Sequence, residues 1–89
     1  SRCVLSRAGK AIRMSTDHKP DSSEEVSYIE SRGGQVLFRG NAWRVNGDIA
    51  MSRSIGDVRL KAPNYYVRPD PEIVTRTLTP LDEFLILAS

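Results

Sequence analysis

A chain of 89 residues is one domain at most, and at that size only about 60–65% of the unfolded chain's surface can be buried, so the core is thin. Its 39% apolar and 27% charged residues are ordinary for a soluble globular protein, and a net charge of +2, scattered along the chain, argues against nucleic acid as a partner. No run approaches the roughly 18 apolar residues needed to cross a bilayer, no signal-peptide pattern is visible, and the lone Cys3 cannot form an internal disulfide. An intracellular protein, cytoplasmic or nuclear, with no membrane attachment, is expected.

In chain order, Arg2 to Ser6 and Ala11 to Met14 are short apolar-rich runs around "RAGK". Gly9 can take positive φ in a tight loop, which predicts a β-hairpin. Cys3, in the run Cys3-Val4-Leu5, reads as a buried core thiol, and Arg7, Lys10 and Arg13 as a solvated hairpin edge. The polar loop "STDHKPD" follows, where Pro20 disfavours helical angles at Lys19. Ser22 and Glu25 have capping-box spacing, and Glu24 and Glu25 suit the positive end of a helix. Val26, Tyr28 and Ile29 give that helix, near residues 22–32, a narrow apolar stripe, and Gly33-Gly34 ends it.

"QVLF" reads as a strand, "RGNA" as a turn, and "WRV" with "DIAMS" as a second hairpin through Asn46-Gly47. Three prolines make "LKAPNYYVRPDPE" irregular, and Pro69 and Pro71 exclude a central strand there. "EIVTRTL" alternates as a strand does, "TPLD" is a turn, and "EFLILAS" reads as a buried strand. The order hairpin, helix, hairpin, loop, hairpin predicts an α+β fold of antiparallel strands with one helix. Both ends fall within strands, so an excerpt of a larger layered domain is expected. Its uncovered sheet faces or edges would favour self-association.

Two polar clusters could carry chemistry. In "TDHKP", Asp17 is a hard-cation ligand by type, yet one carboxylate does not make a site. The plainer alternative has Asp17 and His18 capping the turn. In "SRSIGD", Arg53 offers a fork of donors suited to phosphate, and Gly56-Asp57 can turn sharply and present a carboxylate. Here the plainer alternative is a strand exit with Arg53 in a structural ion pair. No phosphate-binding glycine motif occurs, and no carboxylate pair has a spacing that compels acid/base work.

Taken together, "SRCVLSRAGKAI", "DHKP", "ESRGGQV", "RVNGDIAMSRSIGD", "RPDPEI" and "DEFLILAS" resemble, in order and spacing, the metal-dependent (type 2C, PPM) serine/threonine protein phosphatases. The resemblance implies the central portion of an α-β-β-α sandwich, residues 1–89 being the middle of a catalytic domain. It implies a Mg²⁺- or Mn²⁺-dependent hydrolase in which metal-activated water attacks phosphoserine or phosphothreonine on protein substrates. Carried over residue by residue, Asp17 matches a ligand of a third, weaker metal. His18, Arg53, Gly56 and Asp57 match positions that support the site, and residues 33–46 match a flap beside the cleft. The aspartates of the two-metal core match nothing in this chain, so the isolated chain is expected to be inactive. The alternatives are a non-catalytic pseudophosphatase or regulatory relative that binds without hydrolysing, and an unrelated small α+β interaction module.

Overall fold

The computed structural model describes all 89 residues. The backbone divides into two compact units, one of Ser1–Asp17 with Glu72–Ser89 and one of His18–Pro71. Antiparallel strands with one helix make the chain α+β, as its sequence predicts.

The first unit is a three-stranded antiparallel sheet. Strands β1 (Arg2–Arg7) and β2 (Lys10–Arg13) form the predicted hairpin, with Arg7 opposite Lys10 and Leu5 opposite Ile12. Both loop residues take positive φ, 50° at Ala8 and 73° at Gly9, the geometry of a two-residue loop whose twist matches its strands. Strand β5 (Asp82–Ala88) pairs antiparallel with the other side of β1, making β1 central. Leu5 on β1 is buried, whereas Cys3 is half-buried rather than a sealed core thiol.

Further expectations fail in this unit. Residues 72–79 form no strand: the alternation of "EIVTRTL" records side-chain placement, but a strand also needs a ladder partner, and β2 and β5 occupy both edges of β1. Strand β5 is not buried, since Phe84, Leu85, Ile86 and Leu87 are all more than half exposed. Successive strand residues point to opposite faces, so neither face of β5 is covered. The basic cluster is also more engaged than a solvated edge. Arg7 makes a two-pronged ion pair with Asp82, Nε to Oδ1 at 2.5 Å and Nη2 to Oδ2 at 3.2 Å.

The second unit contains α1 (Ser23–Ser31), the hairpin of β3 (Val36–Arg39) and β4 (Ala42–Val45), and a single 3-10 turn at Val58–Leu60. Ile29, Val45, Leu60 and Val67 form its core, with Tyr28, Val36, Ile49 and Tyr66 packed around them. A nine-residue helix is marginal alone, so burial of Ile29 is what holds it. The helix ends as predicted: Gly33 at φ 83° donates to the Glu30 carbonyl, and Gly34 donates to Ile29 at 2.9 Å, the paired bonds of a glycine-terminated helix. The capping box does not form, because the Ser22 side chain makes no cap hydrogen bond and Glu25 is buried.

The hairpin predicted through Asn46-Gly47 closes but does not continue. The Val45 amide donates to Ile49 at 2.9 Å, and "DIAMS" then leaves as irregular chain. Asn46 explains this by binding backward: its amide donates to the Gln35 carbonyl at 2.7 Å and its Oδ1 accepts from the Gln35 amide at 2.9 Å. The Asn46 side chain thus extends the β3–β4 ladder. Asp48 is drawn elsewhere, taking two hydrogen bonds from Arg59 at 2.9 and 3.0 Å.

Candidate functional site

The most constrained polar group in the chain is Glu25. It lies four residues before Ile29, so the helical repeat turns both toward the interior, and Glu25 is only 2% exposed. Its Oε1 accepts from Arg53 Nε at 2.6 Å, and its Oε2 from Arg68 Nη2 at 3.4 Å. Burial works against the charged carboxylate, but the Arg53 guanidinium outweighs it and holds Glu25 below the ordinary glutamate range. A carboxylate so committed is a structural anion, not a general base.

The backbone aligns the two arginines. Arg53 and Arg68 form an isolated parallel bridge, with the Ser54 amide donating to the Arg68 carbonyl at 3.1 Å. Arg53 Nη1 reaches the Asp70 carbonyl at 3.2 Å, so one guanidinium joins α1, the "SRSIGD" segment and the "RPDP" segment. Arg68 lies 4.2 Å over the Tyr28 ring, and the Tyr28 hydroxyl donates to the Tyr65 carbonyl at 2.8 Å. These residues wall a shallow cleft of about 380 Å³ lined by Tyr28, Arg32, Tyr65, Arg68, Pro69 and Asp70.

The "SRSIGD" turn is closed on itself. Gly56 and Asp57 both take left-handed angles, φ 85° and 48°. The Ser54 hydroxyl donates to Asp57 Oδ2 at 2.5 Å, Lys61 Nζ donates to the Ser54 carbonyl at 2.8 Å, and the Asp57 carbonyl accepts from the Leu60 amide. Asp57 therefore starts the 3-10 turn rather than presenting a free carboxylate. His18 meets this segment through its backbone, its carbonyl accepting from the Ser52 amide at 3.2 Å.

Asp17 belongs to the other unit. Arg2 grips both its oxygens, Nε to Oδ1 at 3.1 Å and Nη2 to Oδ2 at 2.5 Å, and Arg13 Nη2 adds a third contact at 2.9 Å to Oδ1. Hydrogen bonds from Arg2 and then Arg13 hold its carboxyl far below the usual aspartate range. No three or more His, Cys, Asp or Glu side chains stand together where they could hold a metal ion. The residues of this chain therefore do not fit a two-metal centre by themselves.

Of the five residues singled out from the sequence, the structure gathers His18, Arg53, Gly56 and Asp57 into one unit and places Asp17 in the other. Sequence reasoning missed Glu25, Arg68 and Tyr28. Glu25 was hidden by its capping-box spacing, and Arg68 by its proline neighbours. The available signal was an acidic residue at i−4 from the apolar Ile29, on the face turned inward.

Comparison with known proteins gives this geometry its family. The model of the family described as "Protein phosphatase 2C" matches residues 1–89. "Probable protein phosphatase 2C 69" of Arabidopsis thaliana is 53% identical over 89 residues, all of this chain and 24% of the relative; "Protein phosphatase 2C 3" of the same plant is 51% identical over 89 residues, 19% of its length. A crystal structure of a phosphatase from a pathogenic strain of Toxoplasma gondii superposes with TM-score 0.74 at 38% identity, over 81% of this chain and 23% of that one. The structure of a C. elegans sex determining protein shares the fold, with TM-score 0.87 at 24% identity over 96% of this chain and 20% of that one. The chain thus spans about a quarter or less of the length of these relatives, and it belongs to the protein phosphatase 2C family.

Proposed function

We propose that residues 1–89 are the central portion of the catalytic domain of a Mg²⁺- or Mn²⁺-dependent protein phosphatase that hydrolyses phosphoserine and phosphothreonine in protein substrates. The observation that carries this reading is the family match over the whole chain, supported by 53% identity to a relative about four times as long. Bound metal ions would supply an activated water and neutralise charge on the phosphoryl oxygens. The ligands of that core would come from parts of the protein outside this chain. What these residues contribute is a frame: Arg53 ties α1 to the "RPDP" segment, Gly56 and Asp57 shape the turn, and His18 joins "DHKP" to "SRSIGD". Asp17 is proposed as a contributor to a third, weaker cation site beside that core.

The test compares the 89-residue chain with the full-length protein on a phosphothreonine peptide and Mn²⁺. Metal-dependent turnover by the full-length protein and none by the chain is the expected result. A full-length protein that folds and binds phosphopeptide without turnover would instead make it a non-catalytic relative. The same proposal places the protein inside the cell, cytoplasmic or nuclear. It also has the isolated chain self-associating through the exposed β5 side chains, which sedimentation at several concentrations would reveal.

A further inference from the structure

Residues 72–79 form neither helix nor strand, and all of them are exposed. Thr75, Thr77 and Thr79 recur along this segment, but Thr79 alone precedes a proline, Pro80. That proline steers Thr79 toward extended angles, the form in which a protein kinase seats its substrate. Thr79 also stands beside an ion pair. Its amide donates to Asp82 Oδ2 at 2.7 Å, its hydroxyl accepts from the Leu81 amide at 3.3 Å, and Asp82 is gripped in turn by Arg7 through Nε and Nη2.

The surroundings suit an anion. Arg7, Arg76 and Thr79 line one open hollow of about 400 Å³, together with Val74, Thr75 and Thr77, and no acidic side chain lines it. Asp82 is already neutralised by Arg7, whose third nitrogen, Nη1, makes no hydrogen bond. Arg76 is exposed and makes no ion pair, so the hollow carries one uncompensated positive charge. A phosphate brings a charge of about −1.5 to −2 at neutral pH and three acceptor oxygens, which matches the donor forks of two guanidinium groups.

We propose that Thr79 is a phosphorylation site for a proline-directed protein kinase, with its phosphate held by Arg76 and by the unspent nitrogen of Arg7. In the transfer, the Thr79 hydroxyl oxygen bonds to the γ-phosphorus of a nucleoside triphosphate as the bond from that phosphorus to the β–γ bridging oxygen breaks. The hydroxyl proton passes to the kinase's base, and the nucleoside diphosphate leaves. The inference goes beyond the catalytic reading and holds whether or not the whole protein is a phosphatase.

The experiment treats the full-length protein with a proline-directed kinase and the γ-thio analogue of ATP, because a thiophosphate resists removal by a phosphatase. Mass spectrometry should place the label on Thr79 and not on Thr75 or Thr77, which are equally exposed but lack the proline, and both Thr79→Ala and Pro80→Ala should lose it. A protein left unlabelled at Thr79 while a Thr-Pro control peptide is fully labelled would overturn the site, and equal labelling in Pro80→Ala would overturn its direction by proline. The grip of the arginines is read by phosphorus NMR. The thiophosphate in the protein should titrate about half a pH unit below that of a labelled peptide of residues 72–82, the worth of an exposed ion pair. Arg76→Gln should return it toward the peptide's value. A midpoint equal to or above the peptide's would show that the arginines do not hold the phosphate.

Discussion

Arg53 Nε donates to Glu25 Oε1 across 2.6 Å, joining a helix to a turn 28 residues further along the chain. Both side chains are nearly removed from water, at 13% and 3% exposure. Arg53 lies in "SRSIGD", and its fork of donors is spent on Glu25 and on the Asp70 carbonyl. The arginine that sequence chemistry offers to a phosphate is, in the folded chain, the bolt of the frame.

Breaking that pair from the Glu25 side should therefore be severe. Glu25→Gln keeps the shape but leaves two guanidinium groups, on Arg53 and Arg68, facing a neutral amide. Loss of one partner of a buried pair costs about 3–5 kcal/mol. Urea unfolding of the protein should show its midpoint lowered accordingly, and Glu24→Gln, whose carboxylate is 81% exposed and 3.9 Å from Arg53, should change it by less than about 0.5 kcal/mol. Equal effects from the two substitutions would refute the assignment.

Gly33 and Gly34 separate two reasons for glycine. At Gly33, φ is 83° and an added Cβ would meet nothing within 4 Å, so alanine there costs only backbone strain, about 1 kcal/mol. At Gly34 a Cβ would stand 2.8 Å from Tyr66 Cδ1 and 2.9 Å from Ile29 Cγ2. Alanine there must displace the core, at about 1–3 kcal/mol. Thermal melts should rank Gly34→Ala below Gly33→Ala, and the reverse order would mean the helix end is not packed this way.

How far the fold was legible follows from what each signal encodes. Local signals held: Gly9 made the hairpin, Gly33-Gly34 stopped the helix, and "QVLF–RGNA–WRV" paired as expected. Signals that depend on a distant partner failed. "EIVTRTL" has a strand's alternation but found no ladder, and "EFLILAS" has a core strand's composition while lying open on both faces. The candidate site divided the same way. The residue types in "DHKP" and "SRSIGD" were readable, but their partners Glu25, Arg2 and Arg13 lie 28, 15 and 4 positions away, and no spacing rule connects the first two pairs.

Acid should loosen the protein in a defined window. Glu25, Asp17, Asp48 and Asp82 are all held below their ordinary pKa values, Glu25 against its burial by Arg53, and the aspartates first of all by hydrogen bonds from Arg2, Arg59 and Arg7. A carboxyl depressed in the folded state stabilises fully above its unfolded pKa and loses that contribution as pH falls through the folded value. Melting temperature should thus be insensitive to these groups above about pH 5 and should drop below about pH 4. Glu25→Gln should flatten part of that drop. A drop in melting temperature that is the same in Glu25→Gln as in the wild type would show that Glu25 takes no part in it.

The β1–β2 loop offers the opposite kind of change. Ala8 and Gly9 both hold left-handed angles, φ 50° and 73°, but only glycine does so without a steric penalty. For an L-residue with a Cβ the penalty is about 1–2 kcal/mol. Replacing Ala8 by glycine removes it, while the extra freedom of the unfolded chain takes back about 0.4–1 kcal/mol. The difference favours the folded state, so Ala8→Gly should raise the unfolding midpoint by an amount worth about 0.5 kcal/mol. Gly9→Ala should lower it by a similar amount, about 0.5 kcal/mol, since the same two effects act there in reverse and nothing but the backbone angle stands against a methyl group. Because Arg7 and Lys10 face each other directly across this loop, amide exchange at β2 should slow in Ala8→Gly and quicken in Gly9→Ala. Matched changes of the same sign in both variants would show that the loop does not hold the two-residue geometry on which the β1–β2 register depends.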